Sequence, residues 1–431
     1  MKSRKTELRR NGFFSLSSLL VMAALFVGLS FVCDGFSKVP ILIVFILTSV
    51  WSLFTLRGMS LERRVAVFSH GAGQENLLMM VWIFILAGAF ASTAKAMGAV
   101  DATVALTMKA LPPSLILPGL FVAACFISLS VGTSVGTVVA LVPIGTAIAA
   151  AGNMSNAMLT AAIVGGAFFG DNLSFISDTT VVATRTQGCK MKEKFQTNFL
   201  IALPPALITL IIYALIGNSG ESISAMPESS PWLVIPYLAV LVSALAGMNV
   251  MAVLFMGIIL AGILGIATGA LTLQSWFEAV CSGIGGMGEL IIVSLLAGGL
   301  FSVIRKGGGI TWLIRRLTLR VSSPRGAMLA TALLVSLTNL CTANNTIAIL
   351  SVGNIAHDIA ERFSIAPRRM ASLLDTFSCV VQGVIPYGAQ LLMAGGLAAI
   401  SPTEIMPWLF YPMLLCLSSL ASILLTSSQR P

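Results

Sequence analysis

Apolar runs close to the ~20 residues needed to cross a bilayer recur along the whole chain. They lie at about 13–33, 39–56, 78–96, 198–217, 231–246, 249–269, 286–304 and 406–426. Lipid cannot satisfy open backbone groups, so such runs must be helices. A membrane β-barrel would alternate polar and apolar residues, and these runs do not. Only 10% of the residues are charged, and the mean hydropathy is +0.97. Soluble domains carry about 25% charged residues. The 431 residues are therefore expected to form one all-α polytopic membrane protein with about ten spans. The net charge of +9 gathers at the ends of the runs, where it reports topology rather than nucleic-acid binding.

Four further stretches carry polar interruptions: 115–151, 156–184, 326–361 and 370–399. Each arm is about 15 residues, roughly 22 Å of helix, short of a ~30 Å core. Re-entrant hairpins or broken crossings are both open at this point. Charge separates them. The basic N-terminus "MKSRKTELRR" leads into a run without a small-x-small cleavage site. It is read as a retained first span with its basic end in the cytoplasm. If 115–151 and 326–361 are hairpins, "RGMSLERR", "RTQGCKMKEKF", "IRRLTLR" and "APRRM" all fall inside, and the acidic "SGESISAMPESS" falls outside. Full crossings would expose Arg185, Lys190, Lys192 and Lys194 outside. The positive-inside bias therefore favours ten spans plus two hairpins, with both termini cytoplasmic.

An internal repeat fits this plan. "ILAGAFASTAKAMG" (85–98) pairs with "LLAGGLFSVIRKGG" (295–308). After a two-residue shift, "FISLSVGTSVGTVVALVPIG" (126–145) pairs with "LVSLTNLCTANNTIAILSVG" (334–353). The copies start from opposite sides, as in the inverted repeats of secondary transporters. The expected organisation is scaffold spans over 1–76, a first repeat over 77–217, linking scaffold spans over 218–284 and a second repeat over 285–431.

Four polar breaks carry the chemistry: two hairpin tips, 128–137 and 336–346, and two helix breaks, 170–180 and 375–388. Unwound backbone is tolerated at membrane depth only inside protein or beside a wet cavity. Freed carbonyls and short hydroxyls suit a hard cation such as Na⁺, and half-helix N-termini suit anions. Helix packing by small residues is the plainer explanation for any one hydroxyl. A carboxylate at a helix centre, by contrast, costs about 2.5–3.5 kcal/mol on insertion scales. Asp171, Asp178 and Asp375 are thus expected to face the interior, with Asp171 and Asp178 holding Na⁺. Pairing of Asp178 with Arg185 near the inner interface is the competing reading. The wider site is expected to include Thr133, Ser134 and Thr137 at the first tip and Asn172, Ser174, Ser177 and Thr179 at the first break. From the second copy it takes Asn339, Thr342, Asn344 and Asn345 at the tip and Ser378 and Gln382 at the break. A buried carboxyl must be neutralised by a proton or a cation, and one group cannot easily hold both. That competition suffices to couple opposite fluxes.

The seven cysteines have no metal or redox spacing and read as small apolar residues. His70 and His357 are isolated and read as interfacial polar groups. Lys95, Arg305 and Lys306 sit at span ends, where long side chains snorkel.

The stretch "GAFFGDNLSFISDTT" resembles the signature of the NhaC-type Na⁺/H⁺ antiporters of the ion transporter superfamily, approximately G-x-x-F/Y-G-D-x-x-S-x-x-S-D-T-T. Gly166, Phe169, Gly170, Asp171, Ser174, Ser177, Asp178, Thr179 and Thr180 fit it. The resemblance implies a scaffold bundle and a transport bundle, with two hairpins and two broken helices around the substrate. Three features depart from the pattern. Phe175 stands where proline is common. The second tip, Thr342-Ala343-Asn344-Asn345, lacks the acidic residue many members carry. Ile385-Pro386-Tyr387 replaces "IPW".

The leading expectation is a secondary antiporter exchanging Na⁺ for H⁺ across the cell inner membrane, without a cofactor and not an enzyme. The alternative is a Na⁺- or H⁺-coupled carrier of a small organic acid or amino acid. The amide-rich second tip favours it, because amide and hydroxyl groups can hydrogen-bond a carboxylate or an amine, and the resemblance leaves room for it, since relatives of the family move such solutes. An intramembrane aspartyl protease would need G-x-G-D, and Phe168 stands two residues before Gly170. A channel suits inverted hairpins less well than alternating access does. The expected partners are the lipid bilayer and small ions or a small-molecule substrate, and a homodimer is an assembly open to such a chain.

Overall fold

The computed structural model describes residues 2–33, 38–110, 112–152, 154–175, 177–217, 230–246, 248–318 and 321–425. The acidic loop that sequence reading placed outside lies almost wholly beyond them. The described residues form helices and connections, with no strand among them. The first group comprises α1 (Lys2–Val32), α2 (Ile41–Thr55), α3 (Leu61–Ala72), α4 (Glu75–Ala96) and α5 (Ala99–Ala110). Next come α6 (Pro113–Val131), α7 (Ser134–Ala151), α8 (Asn156–Leu173), α9 (Asp178–Gln187) and α10 (Met191–Ile216). Then follow α11 (Ile235–Leu245), α12 (Val250–Ala267), α13 (Leu273–Gly286), α14 (Gly288–Lys306) and α15 (Gly309–Thr318). The chain closes with α16 (Pro324–Thr342), α17 (Asn345–Arg362), α18 (Pro367–Val384), α19 (Ala389–Ala398), α20 (Pro402–Ile405) and α21 (Phe410–Leu425).

Among the described residues, 10 helical segments are long and apolar enough to cross a membrane, or up to 11 if the bent pair at 402–425 is one span. The protein is thus an all-α, multi-pass membrane protein. Several segments differ from the sequence reading. The hairpin arms are longer than expected: α6 and α7 have 19 and 18 residues, about 28 and 27 Å. Length therefore does not force them to be re-entrant. Conversely, α2 has only 15 residues and α11 only 11. The last expected span bends by 55° between Trp408 and Phe410. Helices α3, α5, α13 and α15 lie where no span was expected.

From the hairpins onward, the element lengths recur. Helices α6 to α9 run 19, 18, 18 and 10 residues, and α16 to α19 do the same. Their starts, 113, 134, 156 and 178 against 324, 345, 367 and 389, are each 211 positions apart. The first sequence match holds its register, since Gly98 and Gly308 both turn the chain at positive φ (86° and 81°). The second does not. Sequence similarity pairs Ser128 with Ser336, whereas the helix starts pair it with Asn339. Hydrogen bonding supports the structural pairing: Ser128 Oγ donates to the Ala167 carbonyl (2.6 Å), and Asn339 Nδ2 to that of Ser378 (2.8 Å).

The copies interlock. Helix α7 packs on α19 of the other copy, and α17 packs on α9. Helix α10 joins this body through α21, α18, α8 and α6. A second group forms around α4, α14 and α13 with α2, α3 and α12. Small residues set its crossings: a Cβ at Gly88 would stand 2.3 Å from the Gly283 carbonyl oxygen, and one at Gly71 2.5 Å from that of Gly298. Helices that lack a hydrophobic drive between them gain from such backbone approach.

Candidate functional site

The signature stretch forms the end of α8, a four-residue break and the start of α9. Gly166 and Gly170, spaced G-x-x-x-G, face the backbone of α6. A Cβ would come within 2.4 Å of the Phe121 carbonyl oxygen at the first and of Leu129 N at the second. This contact brings the first tip beside the break. The tip turns at Gly132, whose φ of 75° ends α6 in the left-handed region. Thr133 then caps α7, accepting from Gly136 N.

Asp171 lies at the meeting point and is 4% exposed. Ser134 Oγ, on the first turn of α7, donates to its Oδ2 (2.8 Å). Ser177 Oγ, from the residue before α9, donates to its Oδ1, and Thr179 Oγ1 lies 2.9 Å from Ser177 Oγ. The carboxylate therefore sits at the start of two helices, where the partial positive charge of unpaired N–H groups favours an anion. Its hydroxyl neighbours keep lone pairs that a hard cation could share.

The shell crosses into the second copy. Gln390 Nε2 donates to Ser134 Oγ (2.9 Å). Gln382 Nε2 bridges Gln390 Oε1 and the Ala343 carbonyl, both at 3.0 Å. Ala343 turns the second tip at φ 50°, and Asn344 caps α17 by accepting from Ile347 N (3.0 Å). A hydrogen-bonded line thus runs from the second tip to Asp171. A cavity of ≈ 30 Å³ reaches the same tip, bounded by Thr342, Ala343, Asn344, Tyr387, Ala389 and helices α4 and α14. Buried Asn345 Nδ2, Gln382 Oε1 and Asn339 Oδ1 have no hydrogen-bond partner among the described residues.

Asp375 belongs to a separate cluster. Its Oδ2 is ion-paired with Lys194 Nζ, and both side chains are fully or almost fully buried. Lys194 Nζ also donates to the Asn172 carbonyl (2.6 Å) and Thr180 Oγ1 (2.7 Å). Asn198 Nδ2 donates to Asn172 Oδ1 (2.8 Å) and Asp375 Oδ2 (3.1 Å). Asn172 Nδ2 in turn reaches Thr376 Oγ1 (3.4 Å). Over the break, Phe175 stacks on Phe195 with ring centroids 4.6 Å apart. The aromatic side chain that departs from the family's proline thus covers the segment next to Lys194.

Asp178 departs from expectation. It occupies the first turn of α9 and is exposed, whereas Asp171 is buried. Helix geometry explains this: Ser177, the residue before α9, turns its hydroxyl inward to Asp171, and the next residue along the helix points in a different direction. Among the described residues, no ion pair joins Asp178 and Arg185, so that alternative is not formed either. Thr137 and Thr342 bond to local carbonyls, those of Thr133 and Asn344. Ser174 is buried, with its N–H on the Gly170 carbonyl (2.7 Å). Ser378 Oγ donates to the Asp375 carbonyl (2.9 Å).

Sequence reading missed Lys194, Asn198, Thr180, Thr376 and Gln390. Lys194 was counted among the exposed cytoplasmic charges. It is 1% exposed, leaving Arg185, Lys190 and Lys192 to carry that topological signal. A helical period would have found it. Lys194, Asn198, Ile201, Ala202, Pro205 and Thr209 all lie on the buried side of α10, the i, i+4, i+7 spacing of one face.

The chain matches the model of the Na⁺/H⁺ antiporter family over residues 10–218 and 222–427. It is 22% identical to the malate-2H⁺/Na⁺-lactate antiporter of Bacillus subtilis (strain 168), with 92% of each chain covered. It is 26% identical to the Na⁺/H⁺ antiporter NhaC of Alkalihalophilus pseudofirmus, with 65% of this chain and 66% of that one covered. Among solved structures, the YdaH transporter of Alcanivorax borkumensis covers 96% of this chain and 97% of its own, at 14% identity and a TM-score of 0.40.

Proposed function

We propose that this chain, which belongs to the Na⁺/H⁺ antiporter family, exchanges Na⁺ for H⁺ across the cell membrane with Asp171 as the shared group. The environment of Asp171 carries this reading: a buried carboxylate, a hydroxyl on each oxygen, and two helix N-termini facing it. A bare carboxylate is costly in a dry interior. It is kept neutral by a proton or balanced by Na⁺ held between its oxygens and the Ser134, Ser177 and Thr179 hydroxyls. Proton release on one side admits Na⁺, and Na⁺ release on the other admits a proton. The inverted copies supply alternating access around this point, with both termini in the cytoplasm.

Proteoliposomes with an acidic lumen test the proposal. Na⁺ added outside is expected to alkalinise the lumen without any organic solute. A strict requirement for malate, lactate or another metabolite would overturn it.

That result would favour a second reading, a Na⁺- or H⁺-coupled carrier of a small carboxylate. The Asn345 Nδ2, without a hydrogen-bond partner among the described residues, supports it, as does the likeness to a relative named for malate and lactate exchange. Uptake of labelled carboxylates by the same vesicles distinguishes the two.

A further inference from the structure

We propose that the Lys194 ammonium is a tethered ion occupying a built monovalent-cation site, and that shortening this side chain opens the site to a free cation. The surroundings of Nζ are those of a cation site rather than of a simple ion pair. Three oxygens of different kinds converge on it: the Asn172 carbonyl, the Thr180 hydroxyl and the Asp375 carboxylate. They come from both sides of the first break and from the second copy. Helix α8 stops at Leu173, so the carbonyls of its last three residues have no intrahelical partner. The Asn172 carbonyl is one of these, and a cation at a helix C-terminus is favoured by the dipole. Asn198 Nδ2 donates to both Asp375 Oδ2 and the Asn172 carbonyl (3.1 and 3.2 Å), orienting two of the three ligands without filling the centre. The whole shell is buried: Asp375, Asn172 and Asn198 are 0% exposed, and Thr180 is 1% exposed.

Removing one partner of a buried pair leaves an uncompensated charge and is strongly destabilising. In most buried pairs nothing else can reach that charge. Here the carbonyl and hydroxyl remain in place around the vacated position, so the carboxylate would recruit a small cation. Ammonium, ethylammonium, K⁺ and Na⁺ are the class that fits. The tether also has a consequence for exchange, which rests on the reading of Asp171 above. With Asp375 neutralised internally, Asp171 is the buried carboxylate left for a transported ion at this break, and the protein does not bind a second Na⁺ there.

The test uses the full chain, purified in detergent, with unfolding temperature as the readout. All variants carry Asp171→Asn, so that ion binding at Asp171 does not contribute. With Asp171→Asn alone, NaCl, KCl, ammonium and ethylammonium chloride are expected to match choline chloride at equal ionic strength. With Lys194→Ala added, the unfolding temperature is expected to start lower. It should then rise with the concentration of ethylammonium, ammonium or an alkali cation but not of choline, as ligand linkage requires. Adding Asp375→Asn as well should abolish that response. Lys194→Ser, which also vacates the position of Nζ, covers the case in which Lys194→Ala does not fold, and it should respond in the same direction. A flat response of Lys194→Ala, or of Lys194→Ser where alanine does not fold, overturns the proposal and leaves Lys194 as a plain structural pair. Because the readout is unfolding, a failure of the Na⁺/H⁺ reading leaves this outcome untouched.

Discussion

At the end of α8 the chain carries Asp171; at the matching position of α18, 211 residues on, it carries Gln382. Both side chains reach a hairpin tip, but they do so differently. Asp171 receives hydroxyl donors from Ser134 and Ser177. Gln382 spends its own amide on the Ala343 carbonyl and on Gln390. The tips differ too. The first turns at Gly132, where the left-handed region has no Cβ penalty. The second turns at Ala343, with φ 50°, where it does. The first break packs on its hairpin through Gly166 and Gly170, and the matching positions of the second copy are Phe377 and Val381. The lesson is a division of labour on one scaffold. The first copy presents a charge and is held by close backbone contact. The second presents neutral amides and borders the cavity.

The largest effect should come from exchanging the chemistry at these matched positions. Asp171→Asn is expected to bring coupled Na⁺/H⁺ flux in proteoliposomes to background, while Gln382→Leu retains measurable exchange. Equal loss in both would break the division of labour. Next is Ser134→Ala, which removes a hydrogen bond to a charged group, about 1.5–3 kcal/mol. Half-saturating Na⁺ for flux should rise roughly ten- to a hundredfold, and an unchanged value would remove Ser134 from the site. Gly170→Ala places a methyl 2.4 Å from Leu129 N. Overpacking of this kind costs about 1–3 kcal/mol, so thermal unfolding in detergent should occur at a clearly lower temperature. Val381→Ala, its counterpart, should cost less, and a reversed order would show that the second copy is the tighter one. The smallest effect is expected from Asp178→Asn, within about 0.5 kcal/mol of wild-type stability as for exposed sites, with flux retained. Loss of flux comparable to Asp171→Asn would return Asp178 to the ion site.

The comparison also shows how far sequence reading reaches. Asp171, Ser134, Ser177 and Thr179 were legible because a carboxylate and a hydroxyl cluster inside an apolar helix have few structural excuses. Asp178 carries the same letters in the same motif, but its exposure depends on a rotation of one residue past a helix cap. Lys194 was misplaced for the opposite reason. It follows Arg185, Lys190 and Lys192 in sequence, and only the turn of α10 separates a solvated lysine from a buried one. Gln390 was invisible because its role arises from α19 packing on α7 of the other copy.

What the amino-acid order determined alone is the class of molecule: apolar runs too long and too uniform for water, helical because lipid offers no partner for the backbone, and polar breaks that place carboxylates inside. It also signalled a doubled plan, though not its register, since matching apolar letters score nearly as well three positions out of step. Tertiary packing decided which polar groups meet. Asp171 draws its shell from α7, from the residue before α9 and from α19, and Lys194 draws its ligands from α8, α9 and α18. Periodicity describes one helix at a time. Such shells come from the ends of several, and where those ends converge is set by close contacts between helices far apart in the chain.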